Sequence, residues 1–278
     1  MGKHLVETLV SEGHDVTIAT RGITPDNFGK KVKRIVFDRT QVESIKANIP
    51  TRVYDVVFDS LADSSNDVKN LLDIVKCKRY IQTSTASVYH NFHLGITEDE
   101  FSPKDYPLVY RDYDIGAFGE VKRQAEVAIA LDYSHIPAVS VRFPLVLAQD
   151  DYTKRMFFYI NNLVNKKPMS IDNLDSKIGY VNAREAGQFL AFLGKSDFVG
   201  SINGGSFGVV TLREILHYAE SKTGITPIFN ENGEAGPLNG FPNLSLNVEL
   251  AKSIGFAFSD VNDWIFELID DFIILASR

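Results

Sequence analysis

The sequence predicts an α/β protein, with a largely parallel sheet covered by helices on both faces. Two observations carry that reading. Over the first 143 residues, short β-branched runs alternate with amphipathic stretches, the pattern of repeated strand–helix units. Most of those runs are apolar throughout rather than alternating, as strands buried on both faces are. Size permits it: 278 residues with 44% hydrophobic content bury a large core, as one long domain or two unequal ones.

The first helix spans 2–12, where Leu5, Val6, Leu9 and Val10 share a stripe and Gly13 ends it. Residues 16–20 form a β-rich run closed by Arg21 and Gly22. A second run, 32–37, is interrupted by Lys33 and Arg34 and followed by Asp38. A weak helix over 40–49 stops at Pro50. Strand 54–58 leads into Asp59, Ser60, Leu61 and Ala62, and helix 67–75 carries Leu71, Leu72 and Val75 on one side. A strand over 79–84, a long polar loop, a helix over 117–133 and a strand over 138–143 complete the alternation.

Beyond Pro144 the alternation loosens. Helices are expected over 153–165, 183–194 and 211–223, the last with Thr211 as N-cap and Glu214 completing a capping box. Residues 228–243, rich in Gly, Pro and Asn, read as a loop over a pocket. The final amphipathic helix, 260–274, buries Trp264, Ile265, Leu268, Ile269 and Phe272. The chain divides near residue 145, into 1–145 and a smaller lobe, 146–278, partly interleaved with the first.

Composition narrows the function classes. A net charge of -7, from 29 basic and 36 acidic residues, and a pI near 5.4 argue against broad nucleic-acid affinity, which needs phosphate neutralisation. Cys77 is the single cysteine; it forms no internal disulfide, fits a reducing compartment and reads as a packed thiol. No apolar run is long enough for a membrane span, and the amphipathic N-terminus is not signal-like. A cytoplasmic protein is expected. His90 and His93, with Glu98 and Asp99 nearby, are metal-ligand types on a polar loop without a visible second shell, so no metal is expected. No Gly-x-Ser-x-Gly elbow or Ser-His-Asp order appears.

The chemistry-bearing stretch is 80–126. It opens with Tyr-Ile-Gln-Thr-Ser-Thr-Ala-Ser-Val-Tyr (80–89), a strand that ends in hydroxyls. It closes on a helix with Phe118, Lys122 and Glu126 at four-residue intervals, hence on one face. The order strand, Thr-Ser-Thr-Ala-Ser-Val-Tyr, loop, Ala-Phe-Gly-Glu-Val-Lys-Arg-Gln-Ala-Glu, strand, Arg-Phe-Pro resembles the extended short-chain dehydrogenase/reductases. It is most similar to the NAD-dependent epimerase/dehydratase branch and its atypical nucleoside-diphosphate-sugar epimerase-like members. The resemblance covers nearly the whole chain and is clearest over 16–142. It implies a Rossmann-type doubly wound sheet in 1–145, a substrate-side lobe in 146–278, and a homodimer contact that includes the catalytic helix.

Two departures from the family pattern stand out. The family opens with a strand and a Gly-x-x-Gly-x-x-Gly turn, and Met1-Gly2 matches only the end of that turn. In this fold the opening strand lies mid-sheet and its turn cradles a pyrophosphate at a helix N-terminus. Either the sequence is a shortened version of a longer product, the favoured reading, or the sheet closes or fills the gap. Strands 16–20 and 54–58 are therefore expected to lie adjacent or to flank another segment, because unpaired ladder groups in mid-sheet are costly. The second departure is Phe118, which stands where the resemblance implies a tyrosine acting as general acid/base.

By the same resemblance, Lys122 matches the lysine that lowers the tyrosine pKa and holds the nicotinamide ribose. Thr85, with Ser84 beside it, matches the hydroxyl that hydrogen-bonds the reacting oxygen. Phe118 moves no proton, a loss of about 10²- to 10⁴-fold, and it also packs with Val121, Ala125 and Ala128. Tyr113 is the first candidate for a replacement base, with Tyr110 and Tyr89 behind it. For the cofactor the resemblance implies Gly2, Arg21, Asp38, Ser60, Leu61, Ala62 and Lys122. Arg21 either grips a 2′-phosphate, favouring NADP over NAD, or is simply solvated; Asp38 lies near the adenine, and Ser60, Leu61 and Ala62 line the ribose. Lys154 and Arg155 read as a helix-start surface pair or a diphosphate contact, and Tyr180 as a pocket-facing residue.

Two functions follow from the sequence. One is an NAD(P)-dependent epimerase, dehydratase or reductase on a nucleotide-sugar-type substrate, its catalysis impaired or altered by Phe118. The other is a non-catalytic descendant that binds a nucleotide, a sugar nucleotide or a partner protein, with RNA binding a weaker third option.

Overall fold

A computed structural model of the protein describes residues 1–278. In chain order the first elements are α1 (Gly2–Ser11), β1 (Thr17–Thr20), β2 (Lys33–Val36), α2 (Val42–Asn48), β3 (Val53–Asp59), α3 (Ser65–Leu72) and β4 (Lys76–Thr85). Next come α4 (Phe118–Leu131), β5 (Ala138–Phe143), β6 (Leu145–Leu147), α5 (Arg155–Val164), β7 (Met169–Ser170), β8 (Tyr180–Asn182), α6 (Ala183–Lys195) and β9 (Gly200–Asn203). The chain ends with α7 (Leu212–Thr223), β10 (Glu234–Ala235), α8 (Glu249–Ser253) and α9 (Ile265–Ala276). Two compact units result: Met1–His90 with Glu98–Phe143 and Arg184–Asn203, and Asn91–Thr97 with Pro144–Ala183 and Gly204–Arg278.

The first unit is built on a four-stranded sheet in the order β3-β4-β5-β9, every pair parallel. Parallel neighbours need crossovers, and α3, α4 and α6 supply them. On one face α3 and α4 pack over β4: Val68, Leu71, Leu72, Tyr80, Ala125 and Ala128 form one buried cluster. On the other, α6 lies so close to β3 that a Cβ on Gly194 would sit 2.6 Å from the Phe58 ring. The buried Arg79 of β4 donates to the carbonyls of Leu193 and Phe198, tying the end of α6 to the sheet. A doubly covered parallel sheet is what the run of apolar strands predicts.

One expectation is corrected. β1 pairs with β2 in a separate parallel two-stranded sheet, and β1 and β3 are not hydrogen-bonded to each other. Each of the two presents an edge to which no strand of the chain pairs. Water satisfies an open edge where side chains leave it accessible, and Val53 at the start of β3 is 61% exposed. A side chain spans the two strands instead, Arg52 Nη2 donating to Thr17 Oγ1 at 3.1 Å. α1 is held by its apolar stripe, with Leu5 and Leu9 buried, and by close backbone approach to α6 at Gly187.

The second unit has two short parallel pairs, β6-β8 and β7-β10, neither of which the sequence pattern revealed. Its core is helical: Met156, Ile160, Ile215, Leu216, Ile265, Ile269 and Phe272 from α5, α7 and α9 share one cluster. The Thr211–Glu214 capping box forms as the sequence predicts, with Glu214 Oε2 accepting from the Thr211 backbone N–H at 2.8 Å. Residues 228–243 are mainly loop, pinned where the Leu238 N–H donates to Tyr159 Oη at 2.8 Å.

Gly187 gives a test of this packing. An added Cβ would lie 2.6 Å from the Leu5 backbone nitrogen and 2.8 Å from the His4 carbonyl carbon. Gly to Ala in a helix interior ordinarily gains about 1 kcal/mol, whereas overpacking against backbone costs about 1–3 kcal/mol. Gly187→Ala is expected to lower the urea midpoint; a rise would contradict the α1–α6 contact.

Candidate functional site

The site is framed by the C-terminal end of β4 and the first turn of α4. β4 runs between β3 and β5, with Ser84 opposite Arg142 and Thr85 opposite Phe143. Successive strand side chains point to opposite faces, so the two hydroxyls that the sequence singles out have different fates. Ser84 is buried and donates to Glu126 Oε1 at 2.6 Å. Thr85 stays partly exposed; its Oγ1 accepts from the Ser87 N–H at 3.2 Å and starts the short turn Ala86–Val88. Thr85 borders the site, and Ser84 belongs to the core beneath it.

α4 is drawn against this turn. A Cβ at Gly119 would collide with the Ser87 carbonyl oxygen, and Arg123 Nη1 donates to the Val88 carbonyl at 3.0 Å. Phe118 opens the helix and Lys122 follows one turn on. Lys122 is 4% exposed, and its ammonium meets Asp63 Oδ1 at 2.7 Å and the Ala62 and Thr83 carbonyl oxygens at 3.2 Å each. An ammonium has three hydrogens to donate, and all three have acceptors within the protein. Asp63 is the residue that sequence reasoning missed here.

The strip proposed to line a ribose is positioned from below. Asp59 ends β3 fully buried, accepting from the Arg39 guanidinium at 2.6 Å, from Tyr80 Oη at 2.9 Å and from the Leu61 N–H at 3.0 Å. Burial pushes the Asp59 carboxyl up, but the Arg39 charge and these donors outweigh it and hold the group below the usual carboxylate range. The result is a fixed turn in which Leu61 is exposed, Ser60 half-buried, and the Ala62 carbonyl aimed at Lys122. Arg21 is exposed and Asp38 partly buried, and the Arg21 charge helps keep the Asp38 carboxyl low, after the Thr40 hydroxyl and N–H that donate to it. Gly2 opens α1 with open space where a Cβ would be.

Behind Ser84 lies a buried charge network. Arg142 and Glu126 are both fully buried and 2.7 Å apart. Arg142 also donates to Tyr89 Oη and to the carbonyls of Glu98 and Phe101, and Glu126 accepts from Ser84 and Ser201. Tyr89 Oη donates to Asn203 Oδ1 at 2.6 Å, and burial pushes its phenol up to about 12. Tyr110 donates to Asp132 at the far end of α4. Neither ring is available as a base beside Thr85. Tyr113, 49% exposed on the loop ahead of α4, keeps its candidacy.

Other sequence candidates separate from this frame. Cys77 is partly buried, and burial pushes its thiol up to about 11, away from nucleophile chemistry. Lys154 is the left-handed residue that starts α5, with Arg155 its first helical residue. Tyr180 is buried in the core cluster of the second unit, and its hydroxyl has no hydrogen-bond partner. A hollow of about 600 Å³ opens beside Lys69, Lys76, Tyr110, Tyr133 and His135, where β4 begins rather than ends.

Known proteins share this fold. No family model matches the chain. A curated relative, chloroplast stem-loop binding protein of 41 kDa b from Arabidopsis thaliana, is 30% identical over 120 residues, 37% of this chain. That match spans about a third (32%) of the relative's length. Among solved structures, UDP-glucuronic acid 4-epimerase from Bacillus cereus in complex with NAD superposes with a TM-score of 0.73 at 16% identity, covering 100% of this chain and 96% of that one. UDP-glucose 4-epimerase from Thermotoga maritima with UDP-glucose gives 0.74 at 13% identity, over 100% and 96%. A tyrosine-to-phenylalanine variant of the Bacillus cereus enzyme, in complex with UDP-4-deoxy-4-fluoro-glucuronic acid and NAD, gives 0.74 at 18%, over 99% and 96%. The chain is an α/β protein with a Rossmann-like parallel sheet. Its fold is that of the UDP-sugar epimerases named above.

Asp59 gives the titration test. Its stabilisation is fully present above the unfolded carboxyl pKa of about 3.9 and is lost as pH falls through the lower folded value. Asp59→Asn leaves Arg39 buried without its counter-charge, a cost of about 3–5 kcal/mol at neutral pH, and removes part of the acid sensitivity. Urea unfolding is expected to show a less stable variant whose stability falls less steeply below about pH 4; a slope matching wild type would contradict the assignment.

Proposed function

We propose that the chain binds a nicotinamide dinucleotide across the C-terminal ends of its parallel strands, together with a nucleotide-sugar-type substrate, and that proton transfer is impaired at Phe118. The observation that carries this reading is the buried Lys122 ammonium, held between the Thr83 carbonyl near the C-terminal end of β4 and the Ala62 carbonyl of the turn after β3. Dinucleotides in doubly wound folds bind outside the carboxyl ends of the strands. Ser60, Leu61 and Ala62 would line the ribose, Asp38 the adenine, and Gly2 the pyrophosphate at the start of α1. Arg21 is the one residue here that favours NADP, through a 2′-phosphate; the solved neighbours named above that carry a dinucleotide hold NAD. The Bacillus cereus variant supports the pairing of ligand retention with a Tyr-to-Phe change, since it holds both a UDP sugar and NAD.

In this reading Thr85 would hydrogen-bond the reacting oxygen, and Lys122 would orient the ribose. Phe118 places an apolar ring where the resemblance implies a phenol, so the proton has no carrier unless Tyr113 reaches in. A second reading, stem-loop RNA binding, is favoured by the printed name of the Arabidopsis relative and opposed by the net charge of -7.

Calorimetry with NAD and NADP, followed by turnover assays on UDP-glucose and UDP-glucuronic acid, tests the proposal. Wild type is expected to bind dinucleotide with turnover at or near background, and Phe118→Tyr to raise turnover about 100-fold, the scale of general acid/base help. A dinucleotide-binding Phe118→Tyr variant with unchanged turnover would contradict the role given to this position. Tight, salt-sensitive RNA stem-loop binding without dinucleotide binding would favour the second reading.

A further inference from the structure

We propose that Asp63 is a displaceable counter-ion, which a ligand hydroxyl must replace to reach Lys122, so that it sets how tightly the site holds a dinucleotide. The inference rests on the dinucleotide reading above. Lys122 has three hydrogens and three acceptors, and the acceptors are unequal. Two are main-chain carbonyls. Thr83 is held in the β4–β5 ladder opposite Val141, and Ala62 is fully buried and also accepts from Gln82. Neither moves without disturbing the sheet.

The third acceptor is a side chain. The Asp63 carboxylate is 37% exposed, and Lys122 is its ion-pair partner. Its main chain is anchored separately, the N–H donating to the Leu61 carbonyl at 2.9 Å. The helix that follows does not depend on it, because Ser64 and Asp67 form the α3 capping box between themselves. The carboxylate therefore turns into water by side-chain rotation alone, leaving strand, turn and helix in place. With Lys122 4% exposed, the direction in which Asp63 lies is the way in for a competing acceptor.

Two consequences follow. At rest the pair neutralises Lys122, and the site shows a carboxylate to an incoming anionic ligand. On binding, a ribose hydroxyl oxygen takes over one ammonium hydrogen and Asp63 swings out. Asparagine at 63 keeps the shape but holds the ammonium as a neutral acceptor, a weaker bond than a charged one. Displacement then costs less.

The test is a double-mutant cycle on the full chain with NAD as probe, measured by calorimetry on wild type, Asp63→Asn, Lys122→Met and the double variant, with thermal unfolding confirming the fold of each. Asp63→Asn is expected to bind NAD about three- to tenfold more tightly, the scale of a partly exposed ion pair. The gain is expected to vanish in the Lys122→Met background. Asp63→Ser serves in place of the asparagine variant should that variant lose its fold. Equal affinity of wild type and Asp63→Asn overturns the proposal, as does a gain that survives in the Lys122→Met background, which would mean general charge repulsion. Binding by none of the proteins overturns both this proposal and the dinucleotide reading, whereas equal binding by wild type and Asp63→Asn overturns the role of Asp63 alone.

Discussion

The pairing of Glu126 with Arg142 is the constraint on which the rest of the site depends. Two full charges lie 2.7 Å apart with no solvent exposure, an arrangement whose desolvation penalty is repaid only if the remaining lone pairs and hydrogens are satisfied. They are: the guanidinium reaches Tyr89, Glu98 and Phe101, and the carboxylate takes Ser84 and Ser201. Five stretches are thereby joined, namely the end of β4, the loop after it, α4, β5 and β9. Such a pair contributes little net stability compared with an apolar filling, but losing one partner leaves a bare buried charge at a cost of about 3–5 kcal/mol. Its consequence is geometric. α4 is locked in rotation and height against β4, which decides where Phe118 and Lys122 stand.

On the proposed reading, that locking explains how the frame of the site holds with Phe118 where the resemblance implies a phenol. Ser84 is absorbed into the network and Thr85 is left at the strand end with an adjustable hydroxyl. Lys122 is buried by the same helix placement and is satisfied by two carbonyls of the sheet and by Asp63. None of these positions requires a phenol at 118. A phenylalanine opens the helix without leaving a polar group unpaired, so this residue costs the fold little.

Much of the architecture was legible from the sequence, because its signals are local. Apolar β-branched runs, Gly13 after α1 and the Thr211–Glu214 spacing each report on a few neighbouring residues. The Ser64–Asp67 capping box carries the same kind of signal, and the helix begins at Ser65, earlier than its apolar stripe alone indicates. The short strands β6, β8 and β9 were missed because three or four residues carry too little periodicity. The pairing pattern of β1 and β3 was misjudged because sheet edges are a property of the whole sheet, not of either strand.

Within the site, the spacing of Phe118, Lys122 and Glu126 was readable because a helix repeats every few residues. The partners of these side chains were not. Asp63 meets Lys122, Arg39 meets Asp59, and Arg142 meets Glu126 across folds of the chain that no spacing rule records. Arg142 was visible only as part of Arg-Phe-Pro, and Glu126 only as the end of a motif.

The most direct measurement of the central claim, a dinucleotide site whose frame outlasts its proton carrier, is a crystal structure of the chain grown with NAD. The nicotinamide ribose is expected within about 3.2 Å of Lys122 Nζ, with the Phe118 ring beside the nicotinamide and Thr85 at the strand end nearby. A dinucleotide bound away from Lys122 and Thr85, or a strand-end site that stays empty at saturating NAD, would contradict it.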